Sequence, residues 1–230
     1  MRCARWSVAE VTAIFWDIGG VLLTNGWDRN SRRAAVEKFG LDWEEFEDRH
    51  ELLLDKFEKG EMSLGEYLKR LVFHKERTFS EQEFRDFMFA QSKELKGGAL
   101  GFLGELASQK KYFLAALSNE SAEITDYRID KFHLRDYLEA FFSSCFLGVR
   151  KPHVEIYRRA LSISHRRPEE SVMVDDRALN LECAKELGMH TIQFKKLDQL
   201  RDALENLGVR AGQVGGARHE REAHKLQEAR

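Results

Sequence analysis

The stretch AIFWDIGGVLLTNG, Ala13 to Gly26, decides how this chain is read. Four apolar residues run into an aspartate, two glycines follow almost at once, and the chain then turns apolar again. A short apolar run of this kind predicts a buried strand. Packing alone does not ask for a carboxylate at the end of such a strand, nor for a turn stripped of side chains. The segment therefore points to chemistry at a strand end.

Working outward, residues 12–16 are the first of five segments that read as buried strands. The others are 112–117, 141–146, 171–174 and 190–194, each short, apolar and close to a polar or glycine break. Helical periodicity over 120–131, 154–164, 177–187 and 197–207 separates most of them, and Gly188 and Gly208 stand where helices stop. Leu179, Cys183 and Leu187 share a face of the third of these helices that reads as core. Strands alternating with helices predict a Rossmann-like α/β fold, a parallel sheet with helices on both faces.

Residues 28–96 break the alternation. Apolar residues recur there at helical spacing, Ser63 and Ser80 stand at N-cap positions, and Glu83 follows Ser80 at capping-box distance. Gly40 and Gly60 are the expected stops. We therefore expect a small helical-bundle cap, residues 27–96, inserted after the first strand of a core built from 11–26 and 97–210. The polar, glycine-bearing ends, 1–10 and 211–230, read as flexible extensions.

Composition narrows the class. With 43% hydrophobic and 33% charged residues in a chain of 230, a soluble globular protein is expected. The net charge of −2 argues against a nucleic-acid partner. No apolar run approaches the ~20 residues that span a bilayer, so no membrane partner is expected. The N-terminus lacks the apolar middle of a signal peptide, which points to the cytoplasm. Cys3, Cys145 and Cys183 show no close pairing, as suits a reducing compartment. The eight histidines show no metal-ligand spacing. Oligomeric state is not legible.

In a parallel α/β sheet, ligands bind outside the C-terminal strand ends. Asp17 lies there, as do Ser118 in AALSNE and the Asp175–Asp176 pair closing VMVDD; Lys151 in GVRKP follows the third strand. If the strands are neighbours, one pocket holds three carboxylates, a hydroxyl and an ammonium. Carboxylates so gathered raise one another's pKa unless a cation joins them. Mg²⁺ takes oxygen ligands and works with phosphates. Lys151 and Ser118 would then hold phosphate oxygens, and Gly19 and Gly20 would let backbone N–H groups approach an anion.

These motifs resemble the haloacid dehalogenase-like hydrolases, most of which are Mg²⁺-dependent phosphatases. FWDIGGVL looks like that family's first motif, LSN like the second, RKP like the third and VMVDDRALNLECAKELGM like the fourth, in family order over residues 12–194. The insert resembles the family's four-helix cap. LLLDKFEKGEMSLGEYLKRL and SCFLGVRKPHVEIYRRAL resemble most the branch of bacterial glucose-1-phosphate phosphatases and the phosphatase domain of epoxide hydrolases. The resemblance implies Asp17 as a nucleophile that forms an aspartyl-phosphate on a small phosphorylated metabolite, such as a sugar phosphate. It implies Mg²⁺ held by Asp17, the Gly19 carbonyl, Asp175 and Asp176, with phosphoryl oxygens bound by Ser118 and Lys151. Asn119 and Asn180 would orient the site.

One position departs from the family. The aspartate that usually stands two residues after the nucleophile, as general acid and base, is Gly19 here. Such help is typically worth ~10²–10⁴-fold in rate. A leaving group of low pKa would need it less, and water or a cap side chain such as Asn25, Asp28 or Glu58 would replace it. Trp27, Phe57 and Tyr67 are candidates for the cap face of the pocket, with core packing the expected use of Phe57 and Tyr67. Two other functions compete: a 2-haloacid dehalogenase, which needs no metal and usually lacks the double aspartate, and a non-catalytic binder of phosphorylated ligands or a protein.

Overall fold

The computed structural model describes residues 9–211, so Cys3 and nearly all of the extensions expected at 1–10 and 211–230 lie outside the described residues. Five strands form one sheet: β1 (Ala13–Trp16), β2 (Phe113–Ser118), β3 (Ala140–Ser143), β4 (Ser171–Asp175) and β5 (His190–Gln193), in the order β3-β2-β1-β4-β5. Every pairing is parallel, with Trp16 opposite Ala116 on one side and Val174 on the other. The Rossmann-like α/β architecture is as the alternation of strands and helices predicts.

Strand pleating sorts side chains between two layers. Ile14 and Trp16 enter one cluster with Leu103, Leu106, Leu200 and Leu204, from α5 (Leu100–Ser108) and α10 (Leu197–Asn206). Ala13 and Phe15 enter the other with Ile156, Tyr157, Leu181 and Ala184, from α8 (Val154–Ile163) and α9 (Ala178–Glu186). Each large side chain so buried contributes roughly 1.5–3 kcal/mol. Apolar runs without alternation are what a strand covered on both faces requires.

Two local expectations are corrected. The strand expected over 141–146 stops at Ser143, and Ser144–Leu147 form a short helix, α7. Phe146 is 57% exposed, which no sheet-core position would allow, and the Ser144 hydroxyl turns inward to accept from the Glu120 N–H at 3.0 Å. On α9, Leu179 is 61% exposed and Cys183 only partly buried, so that face is less of a core face than its spacing suggests.

Between β1 and α5 stand α1 (Arg29–Phe39), α2 (Trp43–Glu58), α3 (Leu64–Leu71) and α4 (Glu81–Ala90), packed on a cluster of their own that includes Phe46, Phe57, Tyr67, Leu68 and Phe84. Gly40 closes α1, and full capping boxes start α3 (Ser63, Glu66) and α4 (Ser80, Glu83). Two backbone segments join these helices to the sheet, and they pair with each other. The Thr24 N–H donates to the Lys93 carbonyl at 2.8 Å, and its hydroxyl donates to the Gln91 carbonyl at 2.7 Å. Among the described residues no helix is long and apolar enough to cross a membrane.

Strand order places the site. The chain leaves β1 toward β2 and β3 on one side, and β4 and β5 fill the other. The crevice at the C-terminal ends of β1 and β4 is where connections diverge and ligands bind in such sheets.

Candidate active site

Asp17 is the first residue beyond β1. Its N–H donates to the Val174 carbonyl at 2.8 Å, and its Oδ1 accepts from the Ile18 N–H at 2.8 Å, so the carboxylate is aimed along the crevice. Asp175 ends β4 and Asp176 follows it. One carboxylate oxygen from each of Asp17, Asp175 and Asp176 lies within 4.8 Å of the others. Lys151 is 2% exposed and places Nζ 3.0 Å from Asp17 Oδ1 and 2.7 Å from Asp175 Oδ2.

One lysine does not balance three carboxylates. Burial pushes the Asp17 carboxyl up to about 8; Lys151 opposes this, and the Asp175 and Asp176 charges add to it. Burial, then Asp175, also raises Asp176. Lys151 is held above its ordinary value because Asp17 and Asp175 outweigh the burial that would lower it. Three carboxylate oxygens gathered this closely, with oxygen donors only, fit a hard divalent cation such as Mg²⁺.

Of the residues expected at the site, the structure brings Asp17, Gly19, Asn119, Lys151, Asp176 and Asn180 to the lining of one cavity of about 340 Å³. Ser118, Gly20 and Asp175 lie behind that lining. Ser118 is buried at the end of β2, its hydroxyl 3.5 Å from that of Ser143. The Gly20 N–H donates to the Leu23 carbonyl at 2.8 Å, closing the turn, and so is not offered to an anion as the glycine pair suggested. Gly20 serves space instead: its φ is +75°, and a Cβ there would stand 2.4 Å from Asp176 Oδ2.

Two asparagines act on backbone and carboxylate. Asn119 Nδ2 donates to the Lys151 carbonyl at 2.8 Å and Oδ1 accepts from the Lys151 N–H at 2.7 Å, which fixes the stem of that lysine. Asn180 Nδ2 reaches both oxygens of Asp175 at 3.0 Å, and the Arg177 N–H donates to Asp175 Oδ1 at 2.9 Å.

The helical insert supplies the opposite wall: Trp27, Asp28, Arg29, His50, Phe57 and Glu58 all line the cavity. Behind them the Trp27 indole donates to the Tyr67 hydroxyl at 3.0 Å, and that hydroxyl shares a hydrogen bond with His50 Nδ1 at 2.6 Å. Burial, helped by Arg32, pushes His50 down to about 4, so the imidazole is neutral. Phe57 stacks on Tyr67 at 4.0 Å, which fixes the wall. Tyr67 itself is fully buried and supports the wall from behind.

Sequence reasoning missed Arg150, Arg177, Glu120, Arg128 and His50, all of which line the cavity. Arg150 was signalled only by standing next to Lys151. Glu120 and Arg128 are a buried ion pair eight residues apart, a contact that helical spacing alone does not announce.

Comparison with known proteins agrees with this geometry. The family model for haloacid dehalogenase-like hydrolases matches residues 11–188. Flavin mononucleotide hydrolase 1 of Arabidopsis thaliana is 32% identical over 178 residues, covering 74% of this chain and 69% of that protein. D-ribitol-5-phosphate phosphatase of Bacteroides thetaiotaomicron is 28% identical over 189 residues, covering 78% and 90%. A HAD-family enzyme structure from Bacteroides thetaiotaomicron superposes with a TM-score of 0.71 at 23% identity, over 81% of this chain and 95% of that one. The same enzyme has been solved in complex with magnesium and inorganic phosphate, superposing at 0.69.

Proposed function

The chain belongs to the haloacid dehalogenase-like hydrolases, and we propose that it is a Mg²⁺-dependent phosphatase of a small phosphorylated metabolite, working through an aspartyl-phosphate on Asp17. The observation that carries this reading is the set of three carboxylates, Asp17, Asp175 and Asp176, gathered within 4.8 Å beside a buried lysine. In support, two relatives are named for hydrolysing flavin mononucleotide and ribitol 5-phosphate, and a structural neighbour was solved with magnesium and phosphate. The cavity volume suits a metabolite of sugar-phosphate size. On this reading residues 27–96 are a cap over a core of 11–26 and 97–210.

Asp17 attacks phosphorus in line, the leaving oxygen departs, and water then cleaves the Asp17–phosphorus bond. Splitting one displacement into two lowers the hardest barrier. Lys151 meets the phosphoryl oxygens as a fixed positive charge, its Nζ placed by Asp175 and its backbone by Asn119. Ser118 adds a hydroxyl at the end of β2. Asp17, Asp176 and the Gly19 carbonyl would hold Mg²⁺, which would supply charge neutralisation between an anionic nucleophile and an anionic substrate. Asp175, with both oxygens already bonded to Lys151, Arg177 and Asn180, contributes orientation and charge.

The test is turnover of p-nitrophenyl phosphate and a panel of sugar and polyol phosphates, with Mg²⁺ and with chelator. Activity is expected only with Mg²⁺, and Asp17→Asn is expected to lower kcat/KM by about 10³-fold or more with the melting temperature kept. Parent-like turnover by Asp17→Asn would remove the nucleophile assignment. Chloride release from 2-chloropropionate in chelator would favour the dehalogenase reading instead.

A further inference from the structure

We propose that Glu58, the last residue of α2, is the general acid and base of the reaction, doing from the insert what the glycine at position 19 cannot. The assignment rests on the phosphatase reading above.

Position 19 lacks a side chain, and the amide of Asn25 crowds the space one would enter. A Cβ on Gly19 would stand 2.8 Å from Asn25 Oδ1 and 3.4 Å from Asn25 Cα, so Asn25 fills the space where an acid would begin. An amide has no proton acidic enough to give to a leaving group near neutral pH. A side chain that supplies the proton in place of water must stand on the same cavity.

The lining offers five carboxyl groups: Asp17, Asp28, Glu58, Glu120 and Asp176. Asp17 and Asp176 belong to the nucleophile and the metal. Asp28 caps α1, its Oδ1 accepting from the Ser31 N–H at 2.9 Å. Glu120 is spent on buried Arg128. Glu58 caps no helix, and its one ion-pair partner is the partly exposed Arg150, whereas Glu120 is locked to the fully buried Arg128. The Glu58 Oε2 has no solvent contact and no hydrogen-bond partner, and the Arg150 Nε 3.0 Å away is not aligned to donate to it.

The Glu58 backbone is fixed to the sheet side of the cavity. Its carbonyl accepts from the Ser144 hydroxyl at 2.6 Å, and the same hydroxyl accepts from the Glu120 N–H, two residues beyond Ser118. Gly60, with φ of +73°, lets the chain pass against α7, where a Cβ would stand 2.2 Å from the Cys145 carbonyl. The carboxyl is thus held at the seam between insert and core, facing the cavity that holds Asp17.

Its surroundings suit the role. Burial raises the Glu58 carboxyl to about 7, with Arg150 opposing and Glu120 adding, and Arg177 and Lys151 opposing from farther off. From its own helix, Asp55 faces the same Arg150 at 4.0 Å. A carboxylate at a helix C-terminus also meets the negative end of the helix dipole. A group that ionises near the working pH both gives and takes a proton.

The steps balance. As the Asp17 oxygen bonds to phosphorus and the ester P–O bond breaks, the proton of the Glu58 carboxyl passes to the leaving oxygen, releasing a neutral alcohol. The Glu58 carboxylate then takes a proton from water as the water oxygen bonds to phosphorus and the Asp17–phosphorus bond breaks. Phosphate leaves, and Glu58 is again protonated.

The experiment compares Glu58→Gln with the parent on p-nitrophenyl phosphate and phenyl phosphate, which share a shape and differ in how much the leaving oxygen needs a proton. We expect the ratio of kcat/KM values, nitrophenyl over phenyl, to rise by about 100-fold in the variant, the scale of a lost general acid. The parent's fall in phenyl phosphate turnover as pH rises through about 7 should vanish in the variant. A ratio unchanged by the variant overturns the assignment, whatever the absolute rates, because misfolded protein lowers both substrates alike. If the parent hydrolyses both esters and Asp17→Asn hydrolyses neither, such a failure falls on Glu58 alone. If the parent hydrolyses neither, the phosphatase reading fails and takes this one with it.

Discussion

At the scale of single residues, Gly20 shows how closely the site is built. The glycine's left-handed conformation and missing Cβ let the Asp176 carboxylate come within what would be 2.4 Å of a side chain. Gly20→Ala must move either the turn after β1 or Asp176, and both carry donors of the acidic cluster. A left-handed alanine alone costs about 1 kcal/mol, so the fold should persist while Mg²⁺ affinity falls by about tenfold or more. Mg²⁺ titration of activity measures this. Unchanged half-saturation with Mg²⁺ would show that Asp176 does not depend on that gap. The same residue shows how a motif misleads, because glycines that suggest an anion nest spend an N–H on Leu23 here and act by making room.

At the scale of elements, the joint between insert and sheet depends on Arg128 of α6 (Ala122–Lys131). It is 1% exposed and uses its donors in four directions: Nη1 to Glu120, Nε to Ser92 Oγ at 3.1 Å, and Nη2 to the Thr24 and Asn25 carbonyls at 3.1 and 2.9 Å. Both connecting segments are thereby tied to one core helix. Only a guanidinium has the planar fork to serve them together. Arg128→Met should destabilise by about 3–5 kcal/mol, since it strands the buried Glu120 carboxylate, and adding Glu120→Gln should recover part of that loss. Chemical denaturation measures both. A cost under about 1 kcal/mol for the single variant would show that the joint is held elsewhere.

At the scale of the whole molecule, the strand order matters most. Asp17 and Asp175 are 158 positions apart in the chain and meet because β1 and β4 are parallel neighbours in register. A cation bound at that junction would stabilise the sheet's centre by mass action. At one hundred times its Kd, Mg²⁺ should add about 2.7 kcal/mol. That corresponds to a rise in melting temperature of about 5–10 °C for a chain of this size. Asp176→Asn should lose most of the rise. An equal shift in both proteins would place the ion elsewhere.

The sequence alone determined the alternating strands and helices, the parallel sheet, the helical insert with its caps at Ser63 and Ser80, and the polar residues that follow the strands. These are local signals, carried by periodicity, capping chemistry and the abrupt meeting of an apolar run with a carboxylate. The tertiary structure decided what those residues do to one another. It ended β3 at Ser143 because the Ser144 hydroxyl turns inward, turned the Gly20 N–H to Leu23, and set Arg128 across both connections. It also left Glu58, unlike the helix cap Asp28, with a buried carboxyl oxygen beside Arg150. Apart from the local Gly20–Leu23 turn, these outcomes are contacts between segments far apart in the chain, set by packing and burial together, and no short window of sequence contains both partners.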